Sequence, residues 1–141
     1  MSDQAAPGLS LLLRASEQVI RQRLEPILRE RGLTAEHGRI MSVLRADPGL
    51  TMSLLSRRAV LPKASLTRNV DALVELGIVV RRIHPDDRRR VVVALSPDGL
   101  ALADALAEEE RAIEQQLISA LGDERFGDLT RDLAALPDAL T

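Results

Sequence analysis

Apolar residues recur at helical spacing from Leu9 onward. Leu9, Leu12, Leu13, Ile20, Leu24, Ile27 and Leu28 form one stripe, interrupted by Ser16, while Arg14, Glu17, Arg21 and Glu25 take the opposite side. This periodicity predicts an amphipathic helix. Pro26 lies inside the pattern and predicts a kink or break, because proline lacks an N–H and crowds the preceding turn. Gly32 stands where a helix end favours a left-handed residue. Residues 1–8 are small and polar and read as a frayed lead-in.

Thr34 opens a second helix with Ile40, Met41, Val43 and Leu44 inward, and Asp47-Pro48-Gly49 ends it with turn chemistry. Thr51 caps a short third helix carrying Leu54 and Leu55. Pro62 suits the first turn of a fourth, which puts Leu66, Val70, Leu73 and Leu76 on one face and stops at Gly77. The period then changes. Residues 78–83 and 91–95 are β-branched runs, and the segment between them, His84-Pro85-Asp86-Asp87-Arg88-Arg89-Arg90, is polar. Two strands joined by such a loop predict a β-hairpin. Ser96-Pro97 starts a long helix with Leu100, Ala103, Leu106, Ile113, Leu117 and Leu121 on its apolar side, broken at Gly122-Asp123. A last helix, with Phe126, Leu129, Leu133 and Leu136, is expected to end before Pro137.

The expected fold is mainly α with a two-stranded β-wing. It is a winged helix-turn-helix (residues 33–97) flanked by N- and C-terminal dimerisation helices (residues 1–32 and 98–141). The flanking stripes have too little partner surface within a compact winged helix, so a two-fold homodimer is the simplest way to bury them.

Composition narrows the function. Phe126 is the one aromatic residue, so the core must be aliphatic. The absence of cysteine removes disulfides, thiolate metal sites and cysteine redox switching. Two histidines without any convergent acid–base or nucleophile motif offer no catalytic site, no metal site and no cofactor. No apolar run approaches a membrane span and the start lacks the order of a signal peptide, so a cytoplasmic protein without membrane attachment is expected.

The net charge of −2 hides a strong asymmetry: residues 1–56 carry +1, residues 57–90 carry +5 and residues 91–141 carry −8. A DNA-binding face should be locally basic whatever the total. With Leu66, Val70 and Leu73 inward, helix 62–76 turns Lys63, Ser65, Thr67, Arg68 and Asn69 outward. Arginine pairs with guanine, asparagine with adenine, and hydroxyls with phosphate. An α-helix fits the major groove, and a hairpin carrying Arg88, Arg89 and Arg90 can reach the adjacent minor groove or backbone. A solvated charge cluster and a protein-docking winged helix are the competing readings of the same residues.

Residues 33–103 resemble the MarR (multiple antibiotic resistance regulator) family of winged-helix transcription factors. The resemblance is carried by Leu33-Thr34, Leu55-Ser56, the run from Leu66 to Leu73, and Leu76-Gly77-Ile78-Val79 with Arg81. Its most specific parts are Pro85-Asp86-Asp87-Arg88-Arg89 and the run Val93-Ala94-Leu95-Ser96-Pro97-Asp98-Gly99. It implies that Ser65 and Arg68 touch the major groove, with Lys63, Thr67 and Asn69 near phosphate. Arg88 and Arg89 would lie at the tip of wing 84–90 in the minor groove, and Asp87 would orient a wing arginine. It further implies a homodimer on a pseudo-palindromic double-stranded operator, acting as a repressor relieved by a small aromatic or anionic effector. Arg14, His37 and Arg39 are the candidate effector contacts. His37 replaces a glutamine common in the family, which leaves effector contact and plain packing both open for it.

Overall fold

The computed structural model describes residues 5–141. The first half of the lead-in, residues 1–4, lies outside them. The elements run α1 (Leu9–Glu30), α2 (Ala35–Ala46), β1 (Leu50–Thr51), α3 (Met52–Ala59), α4 (Lys63–Glu75), β2 (Val79–His84), β3 (Asp87–Leu95), α5 (Pro97–Leu121) and α6 (Asp123–Ala139). Two compact units result, one ending at Ala107 and one comprising Glu108–Thr141.

Local chemistry accounts for most boundaries. Thr34 and His37 form a reciprocal capping box: the Thr34 hydroxyl accepts from the His37 N–H, and His37 Nδ1 accepts from the Thr34 N–H at 3.0 Å. Thr51 caps α3 by accepting from the Leu54 N–H. At the end of α4, Gly77 takes φ +74, and the Ile78 N–H reaches back to the Leu73 carbonyl at 2.9 Å. That six-to-one bond turns the chain into β2.

Three expectations change. The wing is a three-stranded antiparallel sheet of order β1-β3-β2, because Leu50 and Thr51 pair with Val93 and Val92. A two-residue strand has no periodicity of its own and exists only through its distant partner. Secondly, α1 runs through Pro26 and α6 runs through Pro137. In each case the carbonyl four residues earlier loses its bond, but Gln22 and Leu133 are exposed, so water can satisfy it. Thirdly, Leu76 is half exposed at the end of α4, whereas Leu66, Val70 and Leu73 are fully buried.

The core of the larger unit is aliphatic throughout. Ile40, Met41 and Leu44 of α2 pack with Leu55 of α3, with the three buried α4 residues, and with Val79, Val93, Leu102, Ala103 and Leu106. Each such side chain contributes about 1.5–3 kcal/mol by leaving water. Ser96 joins α4, the sheet and α5 at one point. Its hydroxyl donates to the Gly77 carbonyl at 2.6 Å and accepts from the Gly99 N–H at 3.0 Å, while its own N–H donates to the Ile78 carbonyl at 2.9 Å. The fit is tight: a Cβ on Gly99 would lie 2.0 Å from the Ile78 oxygen.

The smaller unit holds the second half of α5 and all of α6. No residue of α6 is buried. On α1, Leu28 is the one buried side chain, and Leu9, Leu11, Leu12 and Val19 are half exposed or more. Among the described residues no helix is long and apolar enough to cross a membrane.

Candidate nucleic-acid interface

The reading helix is held by its apolar face, so its opposite face is determined. Leu66, Val70 and Leu73 at 0% exposure turn Lys63, Thr67 and Arg68 to solvent and leave Ser65 and Asn69 half-buried. The Thr67 hydroxyl donates to the Lys63 carbonyl at 3.0 Å and Asn69 Nδ2 donates to the Ser65 carbonyl at 2.9 Å. These bonds anchor both side chains along the helix. The Asn69 carbonyl oxygen stays available to accept, but one amide proton is committed.

The hairpin differs from the loop expected over 84–90. Its turn is Pro85-Asp86, and β3 already begins at Asp87. Ile83 pairs with Val91 and His84 with Asp87, so Arg88, Arg89 and Arg90 form an insertion in the ladder. They are therefore a bulge beside the tip rather than the tip itself. A bulge releases side chains from the alternation of the strand and re-aims them. All three arginines are exposed. Asp87 supports them in two ways: its Oδ1 accepts from the Arg89 N–H at 3.0 Å, and its Oδ2 lies 3.7 Å from Arg90 Nε. The second contact is an ion pair beyond hydrogen-bond length, so the tighter of the two holds the backbone.

Charge pairing separates the arginines into two groups. Arg81 of β2 pairs with Asp71 of α4, Arg58 with Asp47, Arg45 with Asp104 and Arg31 with Asp98. These half-exposed pairs are worth less than about 1 kcal/mol each, so the Arg81–Asp71 pair orients the wing base against α4 more than it stabilises the fold. Lys63, Arg68, Arg88 and Arg89 have no carboxylate partner among the described residues. The acidic residues flagged on α4 are thus partly spent, and the candidate contact cations keep their full charge.

The candidate effector residues are placed apart from any cleft identified on the larger unit. Arg14 of α1 and Arg39 of α2 are exposed, while His37 is buried and engaged in the capping box. Burial holds the His37 imidazole below its ordinary pKa of 6.5. One cleft is lined by Pro48, Gly49 and the wing residues Arg82–Asp86, together with Val92 and Ala94. Another, of about 460 Å³, is lined by Thr51, Ser53, Leu54, Arg57, Arg90 and Val91. Neither includes Arg14, His37 or Arg39. Arg57 escaped the sequence reading because an exposed arginine on a short helix carries no local signal. Only the fold brings it to the same cleft as Arg90.

Known proteins share this arrangement. The sequence profile of the MarR family matches residues 31–90. The HTH-type transcriptional regulator FarR of Neisseria gonorrhoeae is 31% identical over 92% of this chain and 90% of its own. The crystal structure of a MarR family transcriptional regulator from Silicibacter pomeroyi DSS-3 is 30% identical, covers 94% of this chain and 95% of that one, and superposes with a TM-score of 0.78. The crystal structure of NadR in complex with 4-hydroxyphenylacetate is 27% identical over 96% of this chain and 97% of its own, with a TM-score of 0.82. The likeness extends well beyond the wing and the reading helix to nearly the full length, and the chain belongs to the MarR family of helix-turn-helix transcriptional regulators.

Proposed function

We propose that this regulator is a homodimeric repressor that binds a pseudo-palindromic double-stranded operator. Helix α4 enters the major groove through Ser65, Arg68 and Asn69, with Lys63 and Thr67 on phosphate, and the β3 bulge carries Arg88 and Arg89 into the minor groove. The observation that carries this reading is the charge pairing. Arginines that brace the fold have carboxylate partners, whereas those on α4 and the first two of the bulge do not. A protein keeps such cations unpaired at little cost only where water or a polyanion faces them.

The exposed leucines of α1 and the unburied apolar side of α6 support a two-fold interface between copies of this chain. Such a dimer places two reading helices about one DNA turn apart, so half-sites would be centred roughly 10 base pairs apart. NadR binds 4-hydroxyphenylacetate, an aromatic carboxylate. That ligand supports a small aromatic anion as the class of effector that releases this chain from DNA, acting by binding alone and not by catalysis.

A band-shift titration on the DNA upstream of its own gene, at two salt concentrations, tests the reading. The expected result is a discrete complex whose affinity falls steeply with salt. Binding that is absent, or indifferent to salt, would overturn it.

A further inference from the structure

The cleft between α3 and β3 holds chemistry that the groove contacts do not use. Its lining contains two guanidinium groups, Arg57 and Arg90, two hydroxyls, Thr51 and Ser53, and no carboxylate. Ser53 and Arg57 lie one turn apart on the exposed side of α3, and Arg90 is the last residue of the bulge on β3. Arg58, the neighbour of Arg57, is paired with Asp47, but Arg57 has no carboxylate partner among the described residues. Asp87 stands near Arg90 at 3.7 Å and offsets at most one of the two charges. The cleft is therefore left with net positive charge, hydroxyl donors, and apolar walls from Leu54 and Val91.

We propose that this cleft seats a backbone phosphate of the operator on the strand flanking the minor groove, with Arg57 and Arg90 as its cations and Thr51 and Ser53 as hydrogen-bond donors. The inference rests on the DNA-binding reading given above. The occupant follows from charge and continuity. The cleft shares Arg90 with the bulge that also carries Arg88 and Arg89. A minor groove only about 6 Å wide is bordered on both sides by phosphates, so an arginine inserted there has phosphates beside it. Contacts of this kind fix register without reading sequence.

The test uses the full chain and the variants Arg57→Gln and Arg57→Lys, each first shown to unfold at the wild-type temperature. Binding is measured by fluorescence anisotropy on the operator and on an unrelated duplex across a salt series. Arg57→Gln should weaken both duplexes by the same factor and lower the salt slope by about 1, the signature of one lost phosphate contact. Arg57→Lys should restore the slope. Operator duplexes in which single phosphates are replaced by neutral methylphosphonates should reveal one position per half-site that costs the wild type affinity but leaves Arg57→Gln unchanged.

The possible failures are distinguishable. A wild type without salt-steep DNA binding overturns the DNA-binding reading and the phosphate seat together. A wild type that binds, with Arg57→Gln matching it in affinity, slope and methylphosphonate profile, overturns the phosphate seat alone. Arg57→Gln that is normal on DNA but no longer released by 4-hydroxyphenylacetate, where the wild type is released, overturns it in favour of a small organic anion.

Discussion

Gly38 and Gly99 both sit in helices, yet the same added methyl group is expected to act differently at the two. In Gly99→Ala the new Cβ would lie 2.0 Å from the Ile78 carbonyl oxygen and 2.9 Å from its carbon, both backbone atoms of the segment entering β2. The first turn of α5 must then retreat by more than about 1 Å, a shift that overpacked interiors resist at about 1–3 kcal/mol. The same retreat stretches the 3.0 Å bond from the Gly99 N–H to the Ser96 hydroxyl, and loss of such a cap costs about 1 kcal/mol more. Destabilisation of about 2–4 kcal/mol follows. At Gly38 the new Cβ would meet Leu28 Cδ1 at 3.1 Å, the far end of a side chain that can turn. The gain in helix propensity of about 0.8–1.0 kcal/mol offsets that contact, so Gly38→Ala should stay within about 1 kcal/mol of wild type. Urea unfolding followed by circular dichroism measures both. A Gly99→Ala midpoint equal to wild type, or a loss at Gly38 as large as at Gly99, would refute the packing argument.

Val60 ends α3 with φ 55, a left-handed conformation that a β-branched residue adopts at a cost of about 1–2 kcal/mol, and it is 76% exposed. Val60→Gly removes that strain without removing burial, against a glycine entropy cost of about 0.5–1 kcal/mol, so a gain of up to about 1 kcal/mol is expected in a thermal melt. An unchanged or lower melting temperature would argue against strain at this turn. His37 titrates below its ordinary 6.5 in the folded state because burial disfavours the charged imidazole. A depressed pKa means that the unfolded chain binds the proton first, so its contribution is complete above about 6.5 and declines as pH falls below it. His37→Gln keeps a side-chain acceptor for the capping box and should abolish that part of the decline between pH 7.5 and 5.5. The neighbouring Glu36 is held below 4.5 by its backbone hydrogen bond, so its own loss falls outside that window. Equal pH dependence in wild type and His37→Gln would contradict the assignment.

Elements whose limits depend on local chemistry were legible in the chain. Thr34 and Thr51 as caps, Pro62 before α4, Gly77 as a stop, and Ser96-Pro97 at the start of α5 each satisfy a backbone group within a few residues. Features created by distant partners were not. β1 exists because Val92 and Val93 offer it a ladder, and the Arg88–Arg90 insertion appears only when Ile83 and His84 choose Val91 and Asp87. Pro26 and Pro137 misled because the cost of an interior proline depends on whether water reaches the freed carbonyl. The sequence named the cations of α4 and the wing correctly as exposed, since their helix and strand faces follow from the apolar pattern. It could not show which arginines find carboxylates: Arg81 resembles Arg82 in the chain, yet Arg81 is paired with Asp71.

The central claim is that α4 and the β3 bulge act together on one duplex. Operator binding by the double variant Arg68→Ala/Arg89→Ala, with its fold and oligomeric state checked in parallel, tests this most directly. The account predicts loss of the specific complex, by at least about 100-fold if each side chain supplies about 1–3 kcal/mol, while folding and assembly stay unchanged. Wild-type affinity and salt dependence in that variant would contradict it.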